Sequence, residues 1–217
     1  SMTENAVPEG YFVQPKSGSG RGVLVLHPWW GLNGTLRGVC DRLAAAGYSA
    51  FAPDLYHGQI ATTIPEAEAL SHALDTRSKE AFAEIVAAAD FLQRAAAPTG
   101  QPLVVIGYSL GAYFALVLSN IRPDLVNKVV VFYGTGGLDY TKARASYQGH
   151  FAENDPYEPA ESVDALAAAL QQAGRPAQIF RYPGTGRWFS EPDRSDAYVP
   201  SAAERAWLQT LEFLREK

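Results

Sequence analysis

The sequence predicts an α/β protein with a mostly parallel central sheet and helices on both faces. Two patterns predict it. Short segments rich in β-branched and aromatic residues alternate with helix-patterned segments along the whole chain. Several of the short segments are apolar at every position, as expected of strands buried on both faces. The chain has 217 residues, 47% of them hydrophobic and 19% charged, which reads as one globular domain over residues 3–217. Ser1-Met2 reads as a cleavage remnant.

Taken in order, "YFVQP" opens a strand, and "SGSGRG" (17–22) reads as a hairpin turn into the strand "GVLVLH" (22–27). "TLRGVCDRLAAAG" (35–47) is a helix closed by Gly47, a C′ glycine. "YSAFAP" (48–53) is a strand. The stretch 56–77 is the least regular and is expected to be a loop or a short helix. "SKEAFAEIVAAADFLQRAAA" (78–97) opens on Ser78 and stops before Pro98, with its charges on a solvated face. "PLVVIG" (102–107) is a buried strand, and "LGAYFALVLSN" (110–120) is a helix apolar nearly all round. "NKVVVFYG" (127–134), "ASYQGHFA" and "AQIFRYP" (177–183) complete the strands. "SVDALAAALQQAG" (162–174) and "SAAERAWLQTLEFLREK" (201–217) complete the helices.

Composition excludes several classes. The formal charge of −5 and the absence of any Lys/Arg block argue against nucleic acid as a partner. The single cysteine, Cys40, allows no intramolecular disulfide and fits a reducing compartment. No signal peptide and no apolar run of membrane-spanning length is visible. No Cys/His cluster has metal-ligand spacing, and "YGTGG" (133–137) lacks the following Lys-Ser/Thr helix of a phosphate loop. The expectation is a cytoplasmic monomer that takes a small molecule and needs no cofactor.

Chemistry concentrates at "VIGYSLGAYFALVLS" (105–119). Gly107-Tyr108-Ser109-Leu110-Gly111 lies between a buried strand and a buried helix. In that setting Gly-x-Ser-x-Gly is the nucleophile elbow. A strained turn exposes the Ser109 hydroxyl at the strand's end, and the glycines let strand and helix approach. The Leu110 N–H would then point at a developing oxyanion.

With the elbow in place, "LVLHPWWGLNGTLRGVCDRLAAAGYSAFAPDLYHG" (24–58), "GYSLGA" (107–112), "HFAENDPYEP" (150–159) and "YPGTGRWFSEPDR" (182–194) together resemble the dienelactone hydrolase family. The resemblance runs from about residue 10 to the C-terminus. It implies an α/β-hydrolase fold without a large cap, acting on small esters or lactones. It implies Asp155 as the acid and the Trp29 N–H as the second oxyanion donor. Five positions depart from it. The family's usual cysteine nucleophile is Ser109. A glutamate that contacts the nucleophile would fall near Pro28, and arginines that hold the dienelactone carboxylate would fall near Gly58 and Glu191; all are absent. The base, a histidine in "PGxGH", is replaced by Arg187 in "PGTGRWF".

That last departure matters most. A guanidinium cannot act as a base near neutral pH, and a serine hydroxyl without a base is a poor nucleophile. Arg187 has three readings: an ion pair that occupies Asp155, an anchor for an anionic ligand, or a single substitution in an otherwise ordinary hydrolase. Among the histidines, His27 could approach Ser109 or be a strand-end histidine bonded to backbone. His57 could line the pocket. His150 is awkwardly placed on its strand, and His72 is expected to be exposed. Trp29, Trp30, Tyr108, Tyr133, Trp188 and Phe189 could wall an apolar pocket, with core packing favoured for Tyr108 and Tyr133. The leading expectation is a serine hydrolase of small carboxylic esters or lactones, impaired by Arg187. The alternative is a non-catalytic protein that binds a small carboxylate.

Overall fold

The computed structural model describes residues 7–137 and 139–216. In chain order the elements are β1 (Gly10–Val13), β2 (Gly22–Leu26), α1 (Gly34–Ala45), β3 (Ser49–Pro53), α2 (Ile64–Asp75), α3 (Ser78–Ala95) and a 3-10 turn (Ala97–Thr99). They continue with β4 (Leu103–Tyr108), α4 (Leu110–Ile121), β5 (Val126–Phe132), β6 (Ser146–Asn154), α5 (Ala160–Gln172), β7 (Ala177–Gly186) and α6 (Pro200–Arg215). The seven strands form a mostly parallel sheet. Lys217, the last residue of the predicted C-terminal helix, and Ser1-Met2, read above as a cleavage remnant, lie outside the described residues. The chain divides into two compact units after Leu103.

In the first unit the strand order is β1-β3-β2. Every residue of β2 and β3 is buried, which explains their unbroken apolar runs. β2 runs parallel to β3, while β1 lies antiparallel to it, Tyr11 opposite Ala52. The glycine-rich stretch 17–22 is therefore not a hairpin turn, because β1 and β2 are not partners. Gly20 and Gly22 serve close approach instead: a Cβ on Gly20 would lie 2.0 Å from the Gly47 carbonyl oxygen, and one on Gly22 would lie 2.5 Å from Leu103 Cδ2.

The irregular stretch 56–77 contains a full helix, α2, of 12 residues. Thr63 caps it, accepting from the Glu66 N–H and donating to the Glu66 carboxylate. Thr-x-x-Glu is the capping-box signature, and it was readable in the sequence. Amphipathicity was the weaker guide, because α2 buries only Ala67 and Leu74.

In the second unit the order is β4-β5-β6-β7. β4 is buried throughout. β7 stands at the edge and is exposed at several positions. β6 pairs with β5 and with β7 in parallel, and its register with β7 runs from Tyr147 opposite Ala177 to Asn154 opposite Gly186. The predicted last strand stopped at residue 183, but pairing carries it to Gly186. Asp155 and Arg187 thus leave neighbouring strands side by side. The C-terminal ends of β4, β5, β6 and β7 carry Ser109, Tyr133, Asp155 and Arg187 in turn. In open α/β sheets, that edge is where ligands bind.

Candidate active site

Ser109 sits between β4 and α4 with φ 56° and ψ −114°, a conformation costly for any residue with a side chain. Gly107 shows why the sequence needs glycine there. A Cβ on it would lie 2.2 Å from the Gly111 carbonyl oxygen. The Ser109 N–H donates to the Phe132 carbonyl at 2.8 Å, which ties the turn to the end of β5. The Ser109 side chain does not cap α4. Its hydroxyl is therefore not spent on the helix. Leu110, the first residue of α4, belongs to the turn whose N–H groups have no intrahelical acceptor.

The Ser109 hydroxyl is met by Arg187. One terminal nitrogen of the guanidinium donates to Ser109 Oγ at 2.8 Å, and the other donates to Asp155 Oδ2 at 2.9 Å. The remaining Asp155 oxygen, Oδ1, accepts from the backbone N–H groups of Tyr157 and Glu158. The Arg187 and Asp155 side chains are only 11% and 2% exposed, so this is a buried pair rather than a solvent-screened one. Aromatic rings surround the cation. The guanidinium carbon lies 5.2 Å from the Tyr157 ring centroid and 5.8 Å from those of Tyr133 and Trp188.

Tyr133 and Trp188 also have positive φ, 37° and 70°, so three of the four non-glycine residues with positive φ among the described residues lie around this one site. Tyr133 is fully buried, and its hydroxyl bonds Ser190 Oγ at 2.9 Å and the Glu191 carboxyl. Glu191 is fully buried as well. Burial pushes its carboxyl up to about 8. The charge of Asp193 adds to the rise; the Tyr133 hydrogen bond and the charges of Arg194 and Arg187 oppose it. Burial, then Glu191, raises the Tyr133 phenol well above its usual range. Sequence reasoning placed Tyr133 among core residues and missed Glu191 as a buried group. Nothing local marks it, since "SEPDR" reads as a polar surface loop.

The histidines take other positions. His27 is fully buried in the first unit, beside the Pro28 carbonyl through Nδ1 at 2.8 Å, and its Nε2 accepts from the Leu55 N–H at 3.1 Å. Its basic lone pair is thus committed to backbone, and burial lowers its pKa. His57 is exposed and bonds Glu84 at 2.8 Å. His150 is buried on β6 between Tyr182 and Gln148, and burial pulls its pKa down to about 3. His72 is exposed on α2. Of the aromatic candidates, Tyr108 stacks on Phe132 at 4.5 Å, and Phe189 is fully buried against Tyr133. Trp29 and Trp30 pack edge to face in the first unit, and the Trp29 carbonyl accepts from Tyr56. Among the described residues no group of three or more His, Cys, Asp or Glu could hold a metal ion, and no helix is long and apolar enough to cross a membrane.

The mostly parallel sheet, with a strained serine between strand and helix, defines an α/β-hydrolase architecture. The sequence profile of the dienelactone hydrolase family matches residues 9–217, and the chain belongs to that family. Protein usf of Aquifex pyrophilus is 30% identical over 214 residues, covering 95% of this chain and 92% of that protein. A provisionally assigned carboxymethylenebutenolidase of Aquifex aeolicus is 29% identical over 213 residues, with coverage of 95% and 92%. Among solved structures, a provisionally assigned dienelactone hydrolase of Klebsiella pneumoniae has a TM-score of 0.78 at 23% identity, covering 98% of this chain and 97% of that one. A dienelactone-hydrolase-like promiscuous phosphotriesterase from metagenomic libraries has a TM-score of 0.83 at 19% identity, with coverage of 94% and 90%. These two structures share the fold.

Proposed function

We propose that this member of the hydrolase family cleaves small carboxylic esters or lactones through Ser109, and that Arg187 in the place of the general base holds turnover low. The observation that carries this is the guanidinium bridging Ser109 Oγ and Asp155. It spans the two partners that a catalytic histidine would join. Ser109 Oγ attacks the carbonyl carbon, and the Leu110 N–H supports the oxyanion; the assignment of Trp29 as second donor rests on the resemblance alone. The leaving alcohol departs, and water then cleaves the acyl-serine. Both steps need a group that accepts a proton. Arg187 stabilises negative charge on Oγ but has no lone pair to take its proton. Asp155 does not substitute, because the guanidinium is bonded between it and Ser109 Oγ. Protons therefore leave to solvent, which is slow.

Neutral esters suit the site better than dienelactones. Position 191, near which the family places an arginine for the substrate's carboxylate, holds a buried glutamate. The same fact argues against the alternative of a carboxylate-binding protein, as does the Arg187 charge, already met by Asp155. The test is p-nitrophenyl acetate hydrolysis by the protein and by Ser109→Ala, together with titration of acetate into the protein and Arg187→Ala. Slow turnover abolished by Ser109→Ala supports the hydrolase. A rate indifferent to Ser109→Ala, with acetate binding lost in Arg187→Ala, supports the binding protein.

A further inference from the structure

We propose that Glu191 is a positioning residue: through Tyr133 and Ser190 it clasps the turn carrying Arg187 to the end of β5, and so sets the reach of residue 187 toward Ser109. The inference rests on the reading of Ser109 and position 187 as the reaction centre.

Four observations carry it. First, Tyr133 leaves β5 directly against the elbow. A Cβ on its neighbour Gly134 would lie 2.6 Å from the Ser109 carbonyl oxygen and 2.5 Å from Ala112 Cβ. Any shift of Tyr133 is thus felt at Ser109. Second, Glu191 closes the turn that begins one residue after Arg187, its N–H donating to the Trp188 carbonyl at 3.0 Å. Its side chain reaches back to the Tyr133 hydroxyl, and Ser190 reaches the same oxygen. Tyr133 gives its one proton to Glu191, so Ser190 donates to Tyr133. Third, both ends of the clasp are held at positive φ, at Tyr133 and at Trp188. Such strain persists only where surrounding contacts over-determine it. Fourth, Glu191 Oε1 is buried with no hydrogen-bond partner among the described residues. A charged carboxylate would be poorly solvated there, whereas a neutral carboxyl is tolerated.

The clasp is accordingly closed while Glu191 holds a proton. The charged and titratable groups acting on it are Tyr133 from the end of β5, Arg187 from the end of β7, and Asp193 and Arg194 from its own loop. Ionisation places a second negative charge beside Asp193 in a buried site; that cost outweighs the stronger Tyr133 bond and the attraction of Arg187 and Arg194, and it loosens the turn that holds Arg187.

Two readouts test this. In protein labelled with 15N-arginine, the Arg187 guanidinium signals are assigned by their absence in Arg187→His and followed from about pH 6 to 9.5. The unaltered protein is expected to lose the hydrogen-bonded signals with a midpoint near pH 8, where Glu191 titrates. Glu191→Gln, which keeps an acceptor for Tyr133 and cannot ionise, is expected to hold them about one pH unit further. Glu191→Ala is expected to lack them throughout. Signals that titrate alike in all three proteins overturn the proposal.

The second readout is ester hydrolysis in the Arg187→His background. There Glu191→Ala is expected to lower kcat about 10- to 100-fold, with KM changed less than about twofold. Glu191→Gln is expected to restore most of kcat and to remove the alkaline loss of rate. If Arg187→His shows no Ser109-dependent rate while the arginine signals behave as expected, the hydrolase reading fails and the clasp stands. If Arg187→His turns over and the Glu191 variants change neither kcat nor its pH profile nor the arginine signals, the clasp fails and the hydrolase reading stands.

Discussion

On the proposed reading, Arg187→His should raise ester hydrolysis through Ser109, and the structure bounds the gain. In a serine triad, loss of the histidine costs about 10⁶ in kcat. The guanidinium already spans the gap between Asp155 and Ser109, with hydrogen bonds of 2.9 and 2.8 Å. The two nitrogens of an imidazole present a comparable fork to the same pair of partners. The histidine stem is shorter, however, so the ring sits further from Ser109 unless the turn adjusts. A misplacement of about 1 Å can cost 10²-fold. The expected gain is therefore about 10⁴-fold, or roughly 5.5 kcal/mol of transition-state stabilisation. The assay is p-nitrophenyl acetate hydrolysis, with Arg187→His/Ser109→Ala as the blank. Recovery should follow a pH profile rising through the range of an imidazole, since the base must be neutral. A gain under tenfold, or one that survives Ser109→Ala, would refute the reasoning. The first outcome would mean that the elbow and Asp155 do not form a working pair; the second, that the new histidine acts without Ser109.

Arg187→Ala leaves Asp155, 2% exposed, with only its backbone donors, and should cost about 3 kcal/mol in urea unfolding. An unfolding midpoint equal to that of the unaltered protein would mean the pair contributes nothing. Ser109→Gly should be more stable than Ser109→Ala by about 1 kcal/mol, because it removes the strain at φ 56°. Equal thermal midpoints would speak against strain at the elbow. Gly107→Ala forces a Cβ to 2.2 Å from the Gly111 carbonyl oxygen and should destabilise by about 3 kcal/mol or more, read from the same unfolding curves.

Stability should also be highest between about pH 4.5 and 6.5 and fall on both sides of that range. His150 titrates near 3 when folded, below its ordinary 6.5. Its contribution is present above pH 6.5 and is lost as pH falls toward 3. Glu191 titrates near 8, above its ordinary 4.5, so its contribution is present below pH 4.5 and is lost as pH rises through 8. Each slope is about 1.4 kcal/mol per pH unit, and between 4.5 and 6.5 the two oppose one another. His150→Gln should flatten the acid limb and Glu191→Gln the alkaline limb of the urea midpoint plotted against pH. Unchanged limbs in either variant would reject that assignment.

Much of this molecule was legible from local pattern. Buried parallel strands are apolar at every position, so β2, β3 and β4 announced themselves. Gly-x-Ser-x-Gly between strand and helix marked the elbow, because the steric demand that imposes those glycines acts within five residues. The capping box of α2 is equally local. What depends on strand pairing was not legible. β1 lies against β3 rather than β2, and β7 extends to Gly186 only because β6 offers it partners to Asn154. That register sets Asp155 beside Arg187, and no periodicity within either segment encodes it. The sequence by itself determined the fold class and the strained serine, since both follow from residue type and short-range sterics; that Arg187 stands where a base belongs is what the family resemblance implies. The tertiary structure alone decided that Arg187 bonds Ser109 and Asp155 at once, that the His27 lone pair is committed to backbone, and that Glu191 is a buried acid. Hydrogen-bond partners and solvation come from residues far apart in the chain, and only packing brings them within 3 Å of each other or shuts them away from water.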